Sequence, residues 1–518
     1  MIARRFANTL TVDRSLRVTA ALAAIAVVLA LAIIRLPLLV TAGLVTVSAI
    51  LLLTFAYPLF GLGIALILGP FGALESVVLG SSLLDSGQLA LMLTLTAWIG
   101  SGLARRRLRI PATAFNLPWL LFIFIATLTL LDSYSVMLGL VELLKWLEIA
   151  LLVWLVLDFA GRAELGYSKV MRLILGMLLF SGLIQALIGI WQFGLRGTGP
   201  EHFMVLGRFY RAYGTFEQPN PFGGYMNLTA MLALGTVMGL LASWLARRRG
   251  RSGDGEHLRP FSWWFVYALL CAGAASLGLI LSWSRGAWLG FLAGAAVLVL
   301  FSTRRVWLGL GLMLVAATAM SALLAFGSSA GFSPALAITE RLGGFRSEFT
   351  LGDVRGVDIN DDNYAVLERL AHWQAAVDMA RDDLWTGVGF GNYEAAYSEY
   401  ALINFPAALG HAHNYYLNLL AEVGAPGLLA YLFFWFVIVV QTILLIQRLA
   451  WPERGIAVGL LAAWVALAVH LLVDKLYVNN IYVHLGVMIG LLQLFAWSGF
   501  WTGNKRGRRL DETKALSD

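Results

Sequence analysis

Val18-Thr-Ala-Ala-Leu-Ala-Ala-Ile-Ala-Val-Val-Leu-Ala-Leu-Ala-Ile-Ile34 holds one hydroxyl and no charge. It shows no period of two, so it is not the alternating strand of a membrane β-barrel. A bilayer core of about 30 Å takes about 20 residues of helix, and stretches of this kind recur along the whole sequence. We read spans at 18–34, 36–54, 57–72, 88–104, 117–132, 136–160, 170–194, 222–245, 262–281, 285–302, 306–326, 425–447, 455–473 and 480–500. These make about fourteen, or twelve if one early pair is re-entrant. Across 518 residues the chain is 59% apolar and 13% charged, with a mean hydropathy of +0.78. Soluble domains average about 45–50% apolar and about 25% charged, so a soluble enzyme, a disordered chain and a fibrous protein are excluded. The expected fold is an all-α polytopic membrane bundle of about 12–14 helices.

Arg4, Arg5, Arg14 and Arg17 precede the first span with no small-residue cleavage site after it, which reads as an uncleaved signal anchor. The single cysteine, Cys271, sits in an apolar run and rules out an intrachain disulfide. Basic residues cluster at Arg105–Arg109, Arg247–Arg251 and Lys505–Arg509. With an even number of spans and both termini inside, every cluster falls in the cytoplasm, as the positive-inside rule requires. The same alternation accounts for the basic balance without nucleic acid.

Two long polar stretches, 195–221 and 327–424, then lie outside. The expected organisation is therefore N-terminal spans over 1–194, an outer loop with further spans over 195–326, and a long outer loop over 327–424. The last spans follow over 425–500, with a basic tail over 501–518. Between 327 and 412 the long loop holds twelve acidic residues against five basic ones. Leu370, Trp373, Val377 and Ala380 predict an amphipathic helix around Glu368–Asp382. Any chemistry at that face proceeds without ATP.

Four patches there carry unusual residues. They are Arg211-Ala-Tyr-Gly-Thr-Phe-Glu-Gln-Pro-Asn-Pro-Phe-Gly-Gly224, Ser282-Trp-Ser-Arg-Gly-Ala-Trp-Leu289, Gly387-Val-Gly-Phe-Gly-Asn-Tyr393, and His411-Ala-His-Asn-Tyr-Tyr-Leu-Asn-Leu-Leu-Ala-Glu-Val-Gly424. Arginine suits a pyrophosphate because its charge is permanent and its planar fork donates two hydrogen bonds at once. Histidine exchanges a proton near neutral pH. A lipid-linked pyrophosphate whose head group emerges at this face would meet both.

Each patch also has a plainer reading. Arg285 serves equally as an interfacial anchor, Arg211 as a donor to loop carbonyls, and His413-Asn414 as a helix N-cap turn. His411-x-His413 shows no third zinc ligand, and no metal or other cofactor is expected. The glycines at 387, 389 and 391 follow no predicted strand, so they read as turn glycines and not as a dinucleotide fingerprint. Asp361-Asp362, with Asp353 and Asp358, reads as a solvated acidic loop. Within the spans, Glu142, Lys145 and Glu148 fit either an ion pair or a cavity lining. Asp474, beside Lys475 at the outer end of its span, is expected to face the cavity.

Arg211-x-x-Gly214-Thr-Phe with Pro219-Asn220 and Phe222-Gly223, then Ser284-Arg285-Gly286, the Gly387–Tyr393 turn and the histidine patch together resemble the bacterial O-antigen ligase and polymerase superfamily. The resemblance covers roughly 195–430. Its ligase branch carries a histidine, a small polar residue, nine arbitrary residues and Gly-x-x-Gly, which His413, Asn414, Gly424 and Gly427 satisfy.

The resemblance implies a metal-independent GT-C-type membrane glycosyltransferase that takes a glycan from undecaprenyl pyrophosphate. It would pass that glycan to a sugar hydroxyl, on lipid A-core for a ligase or on another lipid-linked repeat for a polymerase. The ligase histidine pattern favours the first. The expected roles are Arg211 and Arg285 on the pyrophosphate and His413 as base, with configuration inverted. His411, Asn414, Asn220 and Asp474 would assist binding, and Gly389, Asn392 and Tyr393 would shape the acceptor cleft. The rate is expected to fall at acid pH near 6.5, or lower if arginines disfavour the imidazolium. A transporter of the same lipids would need charges through the bilayer midplane and repeat symmetry, whereas these charges gather at one face.

Overall fold

Away from water, a backbone satisfies its N–H and C=O groups within one segment only as a helix, and the apolar stretches fold accordingly. The computed structural model describes residues 37–80, 84–162, 165–248, 263–303, 305–329, 353–360 and 363–497, with isolated positions 27 and 30. Most of the first predicted span, the signal-anchor arginines, Arg249 and Arg251, Asp361-Asp362 and the basic tail lie outside the described residues.

Before the long loop come α1 (Leu38–Ala56), α2 (Pro58–Leu79, with a 3₁₀ turn at Gly69–Phe71), α3 (Ser86–Ala104), α4 (Asn116–Asp132) and α5 (Val136–Ala160). These are followed by α6 (Tyr167–Gly194), α7 (Pro219–Arg248), α8 (Trp263–Leu281), α9 (Arg285–Phe301) and α10 (Val306–Ser329). Two helices, α11 (Tyr364–Asp382) and α12 (Tyr393–Tyr400), lie in the loop, and α13 (Tyr415–Arg448), α14 (Glu453–His470) and α15 (Ile481–Trp497) complete the chain. Eight helices are long and apolar enough to cross a membrane among the described residues, and α4, α9 and α15 are shorter apolar ones. The protein is an all-α polytopic membrane protein. Its strands among the described residues are two residues each, Met204–Val205 against Phe209–Tyr210 in a hairpin between α6 and α7.

Small residues decide how the centre packs. In α7, Gly235 and Gly239 face Gly455 and Gly459 of α14. A Cβ built on Gly235 would lie 2.5 Å from both Gly455 O and Gly459 Cα. Two such glycine pairs let the backbones touch, the usual device for helix association in lipid. On its other side α14 meets α9 the same way, with a Cβ on Gly290 only 2.7 Å from Ala466 O. The end of α14 is thereby wedged between the beginnings of α7 and α9.

The predicted loop helix exists as α11, but its buried face is Leu367, Leu370, Ala371, Ala375, Met379 and Ala380, with Trp373 and Val377 half-buried. The last long helix is broken at Gly424 (φ 62°, ψ −173°), followed by Pro426. The predicted span beginning at 425 is its second half. Gly424 packs on the backbone at Leu384–Trp385, 2.6 Å from where its Cβ would stand, and Ala425 N donates to Leu384 O (2.8 Å). A side chain at this position would be strained by the φ and would clash with that backbone, so only glycine fits.

Candidate active site

The bases of α7 and α9 and the tip of α14 enclose a pocket of about 60 Å³. Its lining is polar and charged, which suits an anionic group. Arg211, Asn220, Ser284, Arg285 and Asp474 line it, together with Arg369 of α11 and His470. Two helix N-termini open into it. Ser284 caps α9, its Oγ accepting from Ala287 N (3.4 Å), and Pro219 begins α7. The unsatisfied N–H groups and positive dipole ends of such termini favour an anion. Three arginines face one carboxylate, so the pocket is cationic.

The hydrogen bonding explains why Arg211 sits there. Its N–H donates to Phe203 O (2.9 Å) beside the hairpin, and Ala212 N donates to Leu281 O (2.9 Å). Gln192 Oε1 accepts from Gly214 N (2.7 Å), which pins the following turn to α6. The Arg211 guanidinium donates to Ser282 O (2.9 Å) and Asn220 Oδ1 (3.4 Å). Asn220 Oδ1 also accepts from Ser284 Oγ (2.9 Å). Bonding loop carbonyls and lining the pocket are thus both true of Arg211. Arg285, the first residue of α9, brings a cation to the positive end of a helix, an arrangement that an anion relieves.

Asp474 joins this pocket to the histidine patch, with Oδ1 3.6 Å from His411 Nε2. His411 Nδ1 accepts from His413 N (3.0 Å), and the two rings lie 4.4 Å apart. Asn414 is the N-cap of α13, accepting from Tyr416 N (3.1 Å) and Leu417 N (3.2 Å). His413 is not part of that cap. It is held at φ 51°, a costly conformation for a side-chain-bearing residue, and its carbonyl accepts from Trp373 Nε1 (3.4 Å).

Burial, then the Lys475 charge, holds the His411 imidazole down to about 3, and burial, then His411, holds His413 down to about 3 although Asp474 pulls the other way. His413 is therefore neutral, with a lone pair available, through the physiological range.

Asp474 also supplies the third donor that the His411-x-His413 spacing lacked. One ligand atom from each of the three lies within 4.8 Å of the others. That is the donor number of a catalytic zinc site, although His411 Nδ1 is already engaged by His413 N.

The Gly387–Tyr393 segment is elsewhere. Gly387, Gly389 and Gly391 all have positive φ (64°, 97° and 74°), as turn glycines should. Asn392 is fully buried; its Oδ1 accepts from Ser135 N (2.6 Å) at the start of α5, and its Nδ2 donates to Phe390 O (2.9 Å). Buried Tyr393 meets His372 Nδ1 through its hydroxyl (2.9 Å). Gly389 packs on Ser133, so the turn fastens the loop to α4 and α5 and lines no part of the pocket.

Glu142 pairs with Lys145 (2.5 Å) and with Lys475 (3.4 Å), which ties the residue after Asp474 to α5, whereas the buried Glu148 accepts from Gln88 Nε2 (3.3 Å). The exposed Asp353 pairs with Arg355 (3.6 Å) and accepts from Gln374 Nε2 (3.0 Å).

Two pocket residues escaped the sequence reading. Arg369 lies in α11 at a half-buried position beside the apolar stripe. His470 lies within the predicted span 455–473, where an ionisable residue is itself a signal.

No curated protein matches the chain. Residues 270–432, which contain Arg285, Arg369, the glycine turn and His411–Gly427, match the O-antigen ligase family model. Over that region the chain is similar to the O-antigen ligase superfamily, the family its motifs resemble.

Proposed function

We propose that the protein is an inverting glycosyltransferase that moves a glycan from undecaprenyl pyrophosphate to a sugar hydroxyl. The reaction takes place on the outer face of the bacterial cytoplasmic membrane. One observation carries this reading: three arginines and two helix N-termini converge beside a neutral histidine, linked to it through Asp474 and His411.

Arg211, Arg285 and Arg369 bind the pyrophosphate and stabilise the charge that grows on it as the bond from its oxygen to the anomeric carbon breaks. Preorganised donors of this kind are commonly worth a few kcal/mol each. His413 accepts the proton of the incoming hydroxyl, whose oxygen attacks the anomeric carbon from the face opposite the departing pyrophosphate. Asp474 orients His411, which in turn fixes the backbone at His413. The His413-Asn414…Gly424-x-x-Gly427 pattern favours a ligase with a lipid A-core acceptor over a polymerase.

The outer orientation rests on α7, which runs from the pocket to Arg247 and Arg248 in its last turn, so the basic residues sit at the opposite end. In a Cys271→Ser background, Asp361→Cys should label with an impermeant reagent from outside and Ser252→Cys should not. The reverse pattern would put the pocket on the wrong side. Activity is tested in liposomes with labelled undecaprenyl-pyrophosphate glycan and lipid A-core in one leaflet. A single-addition product supports the ligase, and a ladder on lipid-linked glycan alone supports the polymerase. Transfer abolished by a chelator and restored by zinc would make His411, His413 and Asp474 the ligands of a metal and remove His413 as the free base.

A further inference from the structure

His470 closes α14 and is 1% exposed, yet it borders the arginine pocket. Neither ring nitrogen has a hydrogen-bond partner among the described residues. The other buried histidines differ. His484 reaches Tyr225 Oη (3.0 Å) and His372 reaches Tyr393 Oη (2.9 Å). Buried imidazoles ordinarily bond at least once, so His470 is built for something other than packing.

Its slot supports this. A Cβ on Gly286 would stand 3.0 Å from Nε2, and a Cβ on Gly224 would stand 3.3 Å from Nδ1. Glycines on both helices therefore leave room for the ring beside the first turns of α7 and α9. The surrounding cations, Arg211, Arg285 and Arg369, are donors only, and Asp474 follows one turn later. A neutral imidazole adds a directional N–H donor without adding another fixed charge.

We propose that His470 is a diphosphate-binding residue, donating a ring N–H to a phosphate oxygen held between Arg211, Arg285 and Arg369. The proposal rests on the pyrophosphate reading above and assigns it a ligand outside the region that matches the family. It also makes the pocket more than a charge trap, because a hydrogen bond from a buried ring discriminates position where guanidinium charge alone does not.

The test uses full-length protein in nanodiscs, with inorganic pyrophosphate as competitor and lipid-linked glycan as donor. His470→Phe keeps the ring and removes the donor. It should weaken pyrophosphate inhibition and raise KM for the lipid-linked donor by about ten- to a hundredfold, with thermal stability maintained. His470→Asn or His470→Gln, whose amide nitrogens stand near Nδ1 or Nε2, should recover most of the binding in at least one case.

Unchanged inhibition in His470→Phe overturns the proposal, as does equal loss in all three variants accompanied by lowered stability. If wild type binds pyrophosphate through His470 but transfers no glycan, the transferase reading fails and the site stands. If wild type transfers and His470→Phe transfers with the same KM, the site fails and the transferase reading stands.

Discussion

Two glycine-bearing segments, Arg211–Gly224 and Gly387–Tyr393, look alike in sequence and do opposite things in the fold. Both bend through positive φ, at Gly214 in one and at Gly387, Gly389 and Gly391 in the other. The first begins with a guanidinium that lines a pocket, whereas the second buries Asn392 and Tyr393 completely. The difference lies in the side chains the turns carry. A guanidinium is too costly to bury unpaired and stays where an anion or carbonyls can meet it. An amide or phenol can be buried once its hydrogen bonds close, and Asn392 closes them onto Ser135 and Phe390. Turn glycines announce an ordered loop, and the permanent charge announces a site.

The largest test of this contrast is removal of the base. His413→Ala should lower turnover by about 10²–10⁴-fold while donor binding is nearly kept. His411→Ala should cost less, because it acts through its neighbour. A folded His413→Ala protein with near wild-type transfer would leave this histidine as a loop residue. Next come the arginines. Arg211→Lys and Arg285→Lys retain charge and lose the fork, and each should lose about 10–10³-fold in kcat/KM. Normal turnover with both lysines would reduce them to interfacial anchors.

The other segment should respond differently. Asn392→Ala leaves Ser135 N without its acceptor and should cost about 1–3 kcal/mol of stability, read as a lower Tm in detergent. The protein that remains folded should transfer glycan at the wild-type rate. A selective rise in acceptor KM with unchanged Tm would restore the turn to the acceptor cleft and erase the contrast.

The spans were legible because hydrocarbon runs and bilayer thickness constrain them one at a time. Each prediction from 36–54 to 480–500 coincides with a helix or, at 425, with the half of α13 after Gly424. Arg211, Arg285 and Asp474 were legible for a related reason: a charge near a membrane needs an explanation. What was not legible is what depends on three-dimensional neighbours. Arg369 joins the pocket because α11 presents one half-buried position to it. His470 joins because paired glycines fix α14 against α7 and α9. Asn392 left it because Ser135 lies 257 residues away in sequence and adjacent in space.

The smallest expected effect is a flat pH profile. An imidazole among arginines was expected to lose activity near pH 6.5 or somewhat below. In the structure burial is the first cause, ahead of any arginine, and His413 stands at about 3. Transfer by folded protein should then show no acid limb between pH 8 and about 5, because the base remains unprotonated throughout.

Stability should carry the pH dependence instead. The unfolded chain protonates these histidines near 6.5, whereas the native chain holds His411 and His413 down to about 3 and His372, through burial, down to about 4. Between those values the unfolded state binds more protons, so stability falls as pH drops through 6.5 towards 4. Tm measured from pH 8 to 4 should decline, and His372→Gln should flatten the decline without touching transfer. An acid limb at 6.5 together with a constant Tm would mean that water reaches His413 freely. The contrast between a buried turn and an accessible site would then need redrawing around a solvated base.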